Sequence, residues 1–308
     1  MVARHKIGID TYHYKWNRDH KPVLTIRDGD SVTLQINDVW SWSINKSSQS
    51  KDLPRLDSEK QYPLAGPIYI DGAKPGDALV VEILDMSIGD FGWTVILPGF
   101  GVLEEFKKPY LYKWDLKKDK KFAFFEKGIK IPINPFCGVL GVAPKRSGSF
   151  NVAPPGRHAG NMDIRHLTKG SFVKIPVWVP GALFSAGDVH ASMGDGEVCI
   201  SAIECSGTAK LRFRIEKRAK LNWPQYFTPG DRQPKKGYYA ATGIAPNLWA
   251  AMKESVRNMI SYLGKTYRLS PEEAYVLCSV AADVRVHEVV DKPQWVVGTL
   301  ISQDLFPD

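Results

Sequence analysis

One stretch of this chain concentrates groups that can do chemistry. Gly187-Asp188-Val189-His190-Ala191-Ser192-Met193-Gly194-Asp195-Gly196-Glu197 carries three carboxylates and an imidazole between Asp188 and Glu197. On an extended strand, residues two apart project to the same face, which pairs Asp188 with His190 and Asp195 with Glu197. Gly194 and Gly196 let the backbone turn between the pairs. An imidazole among several carboxylates suits Zn²⁺ or another divalent ion, one or two of them. The same composition also makes an ordinary Asp-Gly surface turn, and spacing alone leaves both readings open.

A second candidate is Pro155-Gly156-Arg157-His158-Ala159-Gly160-Asn161-Met162-Asp163. Its glycines allow close backbone approach, and Asn161 and Asp163 offer short oxygen donors for a cation or a substrate amide. A plain turn, with Asn and Asp satisfying their own backbone, is the bland alternative. The third is Tyr12-His13-Tyr14-Lys15-Trp16, with Asp38 ending a strand downstream. A lone histidine among aromatics is more often a packing residue. His13 and Asp38 are therefore the weaker candidates for completing a metal shell. No G-x-S-x-G elbow is present, so an α/β-hydrolase serine is excluded. Cys137 has no base beside it in sequence and reads as a buried structural thiol.

The elements that must position these residues are mostly strands. The chain has 26 Gly and 21 Pro, and its first 240 residues offer almost no long helical period. Val23–Arg27 and Val32–Ile36 are β-rich runs around an Asp28-Gly29-Asp30 turn signal. Val32, Leu34 and Ile36 fall on one face. Gly29-Asp30 followed by a strand recurs as Gly76-Asp77 followed by Ala78–Asp85, with a weaker copy at Lys169–Trp178. That pattern fits an internal duplication, and equally the common turn-then-strand of any β-sandwich. The tail differs: Trp249, Met252, Val256, Met259, Ile260 and Leu263 recur at helical spacing. Ser270-Pro271-Glu272-Glu273 reads as a capping box opening a second helix through Ala281. Trp295–Ile301 reads as a closing strand. The sequence thus predicts a mainly β protein with an α+β C-terminal portion. A β-sandwich-like body, residues 1–215, carries the metal site, and residues 216–308 form the α+β portion.

Length and composition bound the rest. At 308 residues the chain can bury a full core without disulfides or metals merely to fold. With 44% hydrophobic and 24% charged residues it is not disordered. No apolar run approaches the ~18 residues of a membrane helix, and the N-terminus has no signal-peptide core. The four scattered cysteines, Cys137, Cys199, Cys205 and Cys278, form no CxxC pair. A cytoplasmic protein without membrane partners is the expectation. The net charge is +8, much of it in local runs such as Lys107–Lys121. No nucleic-acid recognition motif accompanies it, which argues against a specific nucleic-acid partner.

Several segments together resemble the acetamidase/formamidase family. They are Gly66-Pro67-Ile68-Tyr69-Ile70-Asp71-Gly72-Ala73-Lys74-Pro75-Gly76-Asp77, Gly138-Val139-Leu140-Gly141-Val142-Ala143-Pro144, Gly160-Asn161-Met162-Asp163, Gly187–Glu197, Ala241-Thr242-Gly243 and Pro271-Glu272-Glu273-Ala274-Tyr275. The Asn-Met-Asp segment and the Gly-Asp-x-His-Ala…Gly-Asp-Gly-Glu segment are specific in combination. The resemblance implies hydrolysis of a short linear amide to carboxylate and ammonia. It also implies bound divalent metal (zinc, with calcium as a further candidate), a mainly β fold, and a homo-oligomer, dimer or tetramer. A glutamine is expected where this chain has Met193.

Amide hydrolysis at neutral pH needs an activated water and a proton for the leaving nitrogen. A metal ion can supply the first by bringing the pKa of bound water to ~7. The resulting assignment makes Asp188 and His190 metal ligands, and Glu197 a ligand or the general base. Asp195 is a further ligand, a catalytic group, or the residue orienting His190. Asn161, Asp163 and Met193 are substrate contacts, and Glu204 is a reserve carboxylate. The rival reading is a metal-stabilised β-sandwich that binds a small ligand without turnover.

Overall fold

Strand Ser31–Ile36 shows why the body is β: Val32, Leu34 and Ile36 are buried and Thr33 and Gln35 are half-buried, the alternation read from sequence. In the computed structural model, which describes residues 3–101, 107–125, 130–197, 199–229, 236–269, 271, 274 and 282–306, this strand lies antiparallel to Glu204–Glu216, with Leu34 opposite Ala209. It does not pair with its predecessor. Leu24–Ile26 instead runs parallel to Leu64–Ile70. The turn between them is a crossing, not a hairpin, because Asp30 ties it to other backbone. Its carboxylate accepts from the Arg27 N–H at 3.0 Å and the Ala3 N–H at 2.7 Å.

The recurring turn is real in structure. Asp77 accepts from the Lys74 N–H at 3.0 Å, as Asp30 does from Arg27, and Gly29 and Gly76 take φ of 92° and 94°. The strands that follow the two turns flank Glu204–Glu216 on its opposite edges. Leu211 faces Val32 on one side and Ile83 of Ala78–Ile96 on the other. The third copy, Phe172–Pro176, pairs with the outer edge of Ala78–Ile96.

These strands belong to one branched, mostly antiparallel sheet of 16 strands. Its main path runs through Ala159–Asn161, Phe136–Gly141, Phe184–His190, Glu204–Glu216, Ala78–Ile96, Phe172–Pro176, Gln225–Thr228, Tyr238–Ala245, Trp295–Ser302 and Ala282–Glu288. The ladder thus continues from the body into the C-terminal portion through Phe172–Pro176 and Gln225–Thr228. Val81, Leu211, Phe213, Phe184 and Tyr226 lie in the main core.

The tail is α+β, as expected. Helix Leu248–Tyr267 starts at Asn247, whose side chain accepts from the Ala250 N–H at 2.8 Å. Its buried stripe is Ala251, Ser255, Met259 and Leu263, and Trp249 is 63% exposed. Of the expected positions, Met259 and Leu263 are buried, Met252, Val256 and Ile260 are half-buried and Trp249 is exposed, so the buried face is rotated from the expected one. The reason is Gly243 on the sheet below: a Cβ there would run into the Ala251 carbonyl oxygen and the Ser255 nitrogen. Backbone approaches backbone, and only small side chains fit between. The second expected helix, Ser270–Ala281, lies outside the described residues except for Pro271 and Ala274, as does Cys278. The closing strand is Trp295–Ser302.

Part of the basic run Lys107–Lys121 is strand Tyr110–Asp115, paired with Phe91–Ile96. Lys113 donates to the Lys46 and Ser48 carbonyls, and Lys120 pairs with Asp90 at 3.0 Å. These cations have local partners. Cys137, Cys199 and Cys205 are free thiols. Among the described residues no helix is long and apolar enough to cross a membrane.

Candidate active site

Strand Phe184–His190 is buried along its whole length between neighbouring strands. It delivers Asp188 and His190 to one interior point, as their spacing predicts. His190 Nε2 sits 3.2 Å from Asp188 Oδ1 and 3.2 Å from Glu204 Oε2, and its Nδ1 lies 3.8 Å from Asp163 Oδ1. Phe136 packs edge-on against the imidazole at 5.0 Å between ring centres.

Glycine at 138 makes room for this cluster. A Cβ there would collide with Asp163 Oδ1 and stand 2.9 Å from both Asp188 Oδ2 and His190 Cε1. Asp163, Asp188 and Glu197 adopt left-handed backbone, with φ of 46°, 57° and 48°. Non-glycine residues in this region concentrate at functional sites, where surrounding structure holds them.

Further groups close in. Glu204 Oε1 accepts from the Ala202 N–H at 2.9 Å, which leaves Oε2 facing His190. Asn161 donates from Nδ2 to Asp291 Oδ2 at 2.6 Å. Glu288, fully buried, accepts from the Val290 N–H. Asp163, Asp188, Glu197 and Glu204 stand around the His190 imidazole, with Asp291 and Glu288 on the far side of Asp163, and all six carboxyls are buried.

That concentration of buried carboxyls has an electrostatic consequence. Burial pushes Glu204 up to about 8, Glu288 to about 8 and Asp163 to about 7. Burial, with Asp163 nearby, raises Glu197 well above the carboxylate range, and burial with Glu288 does the same for Asp291. Burial opposes a charge on His190, but Glu204 and Asp188 outweigh it and raise the imidazole well above its ordinary value. Without a cation, the site must hold protons to offset its negative charge.

Many of these atoms converge without hydrogen bonds. Asp163 Oδ1, Asp188 Oδ1, both His190 nitrogens, Glu204 Oε2, Asn161 Oδ1 and Glu288 Oε2 are buried with no hydrogen-bond partner. Orphaned buried acceptors call for a bound ion or substrate. Ligand atoms of Asp163, His190 and Glu197 lie within 4.8 Å of one another, and so do those of Asp188, His190 and Glu204. The donor set, oxygen with one nitrogen, fits a divalent ion.

The cluster forms one end of a cavity of about 570 Å³. Asn161, Asp163, Asp188, Glu197, Glu204 and Asp291 supply its polar end. Trp40, Leu53, Tyr62, Trp93 and Phe100 supply aromatic and apolar wall. A polar end inside an apolar enclosure is the usual form of a small-molecule site.

The other residues singled out from sequence are placed elsewhere. His13 has Nδ1 on the Lys15 carbonyl at 2.9 Å and Nε2 on the Ser185 hydroxyl at 2.8 Å. Asp38 uses its two oxygens on the Trp40 and Trp42 N–H groups, each at 3.0 Å. Neither joins the His190 cluster. Met193 packs with Phe136 and Ala202 and lines a neighbouring cavity of about 540 Å³, which shares Glu197 with the first. Asp195 faces that second cavity too, beside Arg165 and His166. Sequence reasoning missed Gly138, Glu288 and Asp291. Glu288 and Asp291 fall in none of the segments singled out for their chemistry.

Fold and site together define a β-rich protein with a buried acid–imidazole centre at one end of a cavity. The chain belongs to the acetamidase/formamidase family, whose sequence profile matches residues 4–149 and 146–308. It is 24% identical over 370 aligned positions to the formamidase of Methylophilus methylotrophus, covering 96% of this chain and 91% of that protein. It is 26% identical over 343 positions to the acetamidase of Mycolicibacterium smegmatis, covering 86% and 84%. The crystal structure of an acetamidase from Bacillus halodurans superimposes with a TM-score of 0.90 at 30% identity, covering 98% of both chains.

Proposed function

We propose that this protein is a divalent-metal-dependent amidase that hydrolyses the C–N bond of a short linear amide to a carboxylate and ammonia. The observation that carries the reading is the set of orphaned atoms around His190. The buried side chains of Asp163, Asp188, His190 and Glu204 converge at one end of the cavity and satisfy one another poorly, which suits an ion held between them. The named activities of the relatives supply the reaction class.

Asp163, Asp188, His190 and Glu204 would hold the ion, with Glu197 beside them. A divalent ion held there would supply Lewis-acid polarisation of the amide carbonyl and would acidify water. Glu197 performs the proton transfers. It lines the cavity; burial raises its carboxyl in the cation-free site, and a cation held by the neighbouring residues would lower it again, leaving Glu197 ionised as a base. It removes a proton from the attacking water and delivers it to the departing nitrogen, a role worth ~10²–10⁴-fold in rate. Asn161 Oδ1 has no partner and accepts from the substrate amide N–H, while Asp291 fixes its other end. The apolar wall excludes water around the acyl group.

An ammonia-release assay across short amides tests this. Metal-replete protein should release ammonia, chelated protein should not, and added Zn²⁺ should restore turnover. Release from no amide overturns the amidase reading. Full activity after verified metal removal overturns metal dependence.

A further inference from the structure

A second group of ligating side chains stands apart from the carboxylate cavity. His166 follows the Asn161-Met162-Asp163 segment, Asp195 sits in the Gly194–Glu197 loop, and His287 is next to last on strand Ala282–Glu288. One ligand atom of each lies within 4.8 Å of the other two. His166 Nε2 is 3.5 Å from Asp195 Oδ1. Ligands ~2.0–2.2 Å from a tetrahedral Zn²⁺ stand roughly 3.3–3.5 Å apart, so this pair already has the spacing of two ligands on one ion. His166 Nε2 is buried and makes no hydrogen bond in spite of that neighbour.

His287 supplies the independent observation. It is fully buried, and its Nδ1 has no partner. Its Nε2 lies 3.0 Å from the Tyr226 hydroxyl. With the ring proton on Nε2, the imidazole donates to the tyrosine oxygen and leaves Nδ1 as a bare ligand atom. Metal-bound histidines are commonly oriented in this way, through the second ring nitrogen. The strand beside it is cut to fit, because a Cβ on Gly298 would strike His287 Nε2. A buried imidazole with an empty lone pair is costly unless something fills it.

We infer that His166, Asp195 and His287 form a second divalent-cation site of the zinc class, separate from the His190 cluster. Two imidazoles and one carboxylate would leave a zinc ion one further ligand to find, and Asp195, partly exposed, lines the neighbouring cavity. Arg165, 3.7 Å from Asp195 Oδ1, also faces the carboxylate; it is half-buried and donates to the Met193 carbonyl at 2.9 Å. The site ties together the loop and strand that the Gly196 N–H already joins through the His287 carbonyl, at 2.9 Å. Glu197 follows immediately, so an ion here braces the loop that carries it into the other cavity.

The test is a Zn²⁺ titration by calorimetry on chelated full-length protein, with Co²⁺ visible absorption as a second readout. The variants are His190→Ala, His166→Gln and Asp195→Asn, alone and with His190→Ala. His166 and Asp195 retain solvent access, and unchanged melting curves confirm folding. His190→Ala should still bind one equivalent of Zn²⁺ and show a Co²⁺ band. Adding His166→Gln or Asp195→Asn should weaken that binding by at least about 10–100-fold, the range already seen for outer-sphere partners, and remove the band. Absence of Zn²⁺ binding in His190→Ala overturns the inference, as does equal affinity in the double variants. If wild type binds one ion that only His166→Gln or Asp195→Asn removes, this site stands and the His190 site falls.

Discussion

Asp195 and Glu197, two residues apart in one loop, enter different clusters: Glu197 meets Asp163 and His190, and Asp195 meets His166 and His287. Strand alternation would have put both on one face. Gly196 at φ 95° and Glu197 at φ 48° break it, so each carboxylate leaves the loop on its own side. The loop is pinned at the division by the bridge from Gly196 to Glu288.

Glu197→Gln should lower kcat by ~10²–10⁴-fold, because the amide keeps the shape but cannot accept the proton. Glu197 is one of several buried carboxyls that raise one another, so replacing this costly titratable group by a neutral amide should leave the melting temperature of chelated protein equal or higher. Steady-state kinetics beside a thermal melt reads both. Wild-type turnover in a fully loaded variant would remove Glu197 from the proton transfers.

Gly138→Ala should damage the centre without touching a titratable group. The new Cβ meets Asp163, Asp188 and His190. Overpacking of this kind costs ~1–3 kcal/mol, and displacing reacting groups by an ångström costs ~10²-fold in rate. Zn²⁺ affinity and kcat should fall together. A fully active Gly138→Ala protein would show that the cluster has slack that the close packing hides.

Asp188, His190 and Glu197 were legible because chemistry-bearing residues crowd a short segment, and strand period places the first two together. Gly138, Glu288 and Asp291 were not. They reach the centre by tertiary pairing, 130 residues separating Asn161 from its partner Asp291, and a local pattern carries no trace of that. His13 and Asp38 looked available because sequence does not reveal that nearby backbone and Ser185 already use their polar atoms. The strands were readable from alternation, but not their partners, since Leu24–Ile26 and Ser31–Ile36 separate at a carboxylate-tied turn. The helix was readable in extent but not in orientation, which Gly243 on another element decides.

His158 should contribute to acid sensitivity. Its Nε2 is enclosed without a partner, and burial holds the imidazole down at about 4. The unfolded chain takes up that proton near pH 6.5, before the folded one does. Between those values the unfolded state binds more protons, so stability falls as pH falls. His158→Gln should therefore lose about 2 kcal/mol less than wild type between pH 7 and 4.5. Urea denaturation at the two pH values measures it, and parallel losses would assign the acid limb to other groups.

Gly243→Ala probes the helix seating. Its Cβ would meet Ala251 and Ser255 backbone, which cannot rotate away as a side-chain tip can. A loss of ~1–3 kcal/mol is expected. The Ser255 hydroxyl, 2.8 Å from Thr299 Oγ1, should lose its register as the helix lifts. Denaturant melts give the first quantity. Unchanged stability would mean that the helix shifts freely on the sheet.

The wall of the carboxylate cavity, not Met193, should set preference among acyl groups. Met193 is 8% exposed and packs with Phe136 and Ala202 on the side of the second cavity. Replacing it with the glutamine expected from the family should leave the order of kcat/KM along a series from formamide to longer acyl amides unchanged. Leu53 is 4% exposed and lines the carboxylate cavity. Leu53→Ala enlarges the space and should favour longer acyl groups over formamide. The size of the effect is on the order of 1–3 kcal/mol per methylene-sized change, or roughly 10–200-fold in the ratio. Because the comparison is a ratio within one variant, a general loss of stability from the shortened side chain cancels. A reordered series in Met193→Gln, with none in Leu53→Ala, would move the acyl pocket to the other cavity.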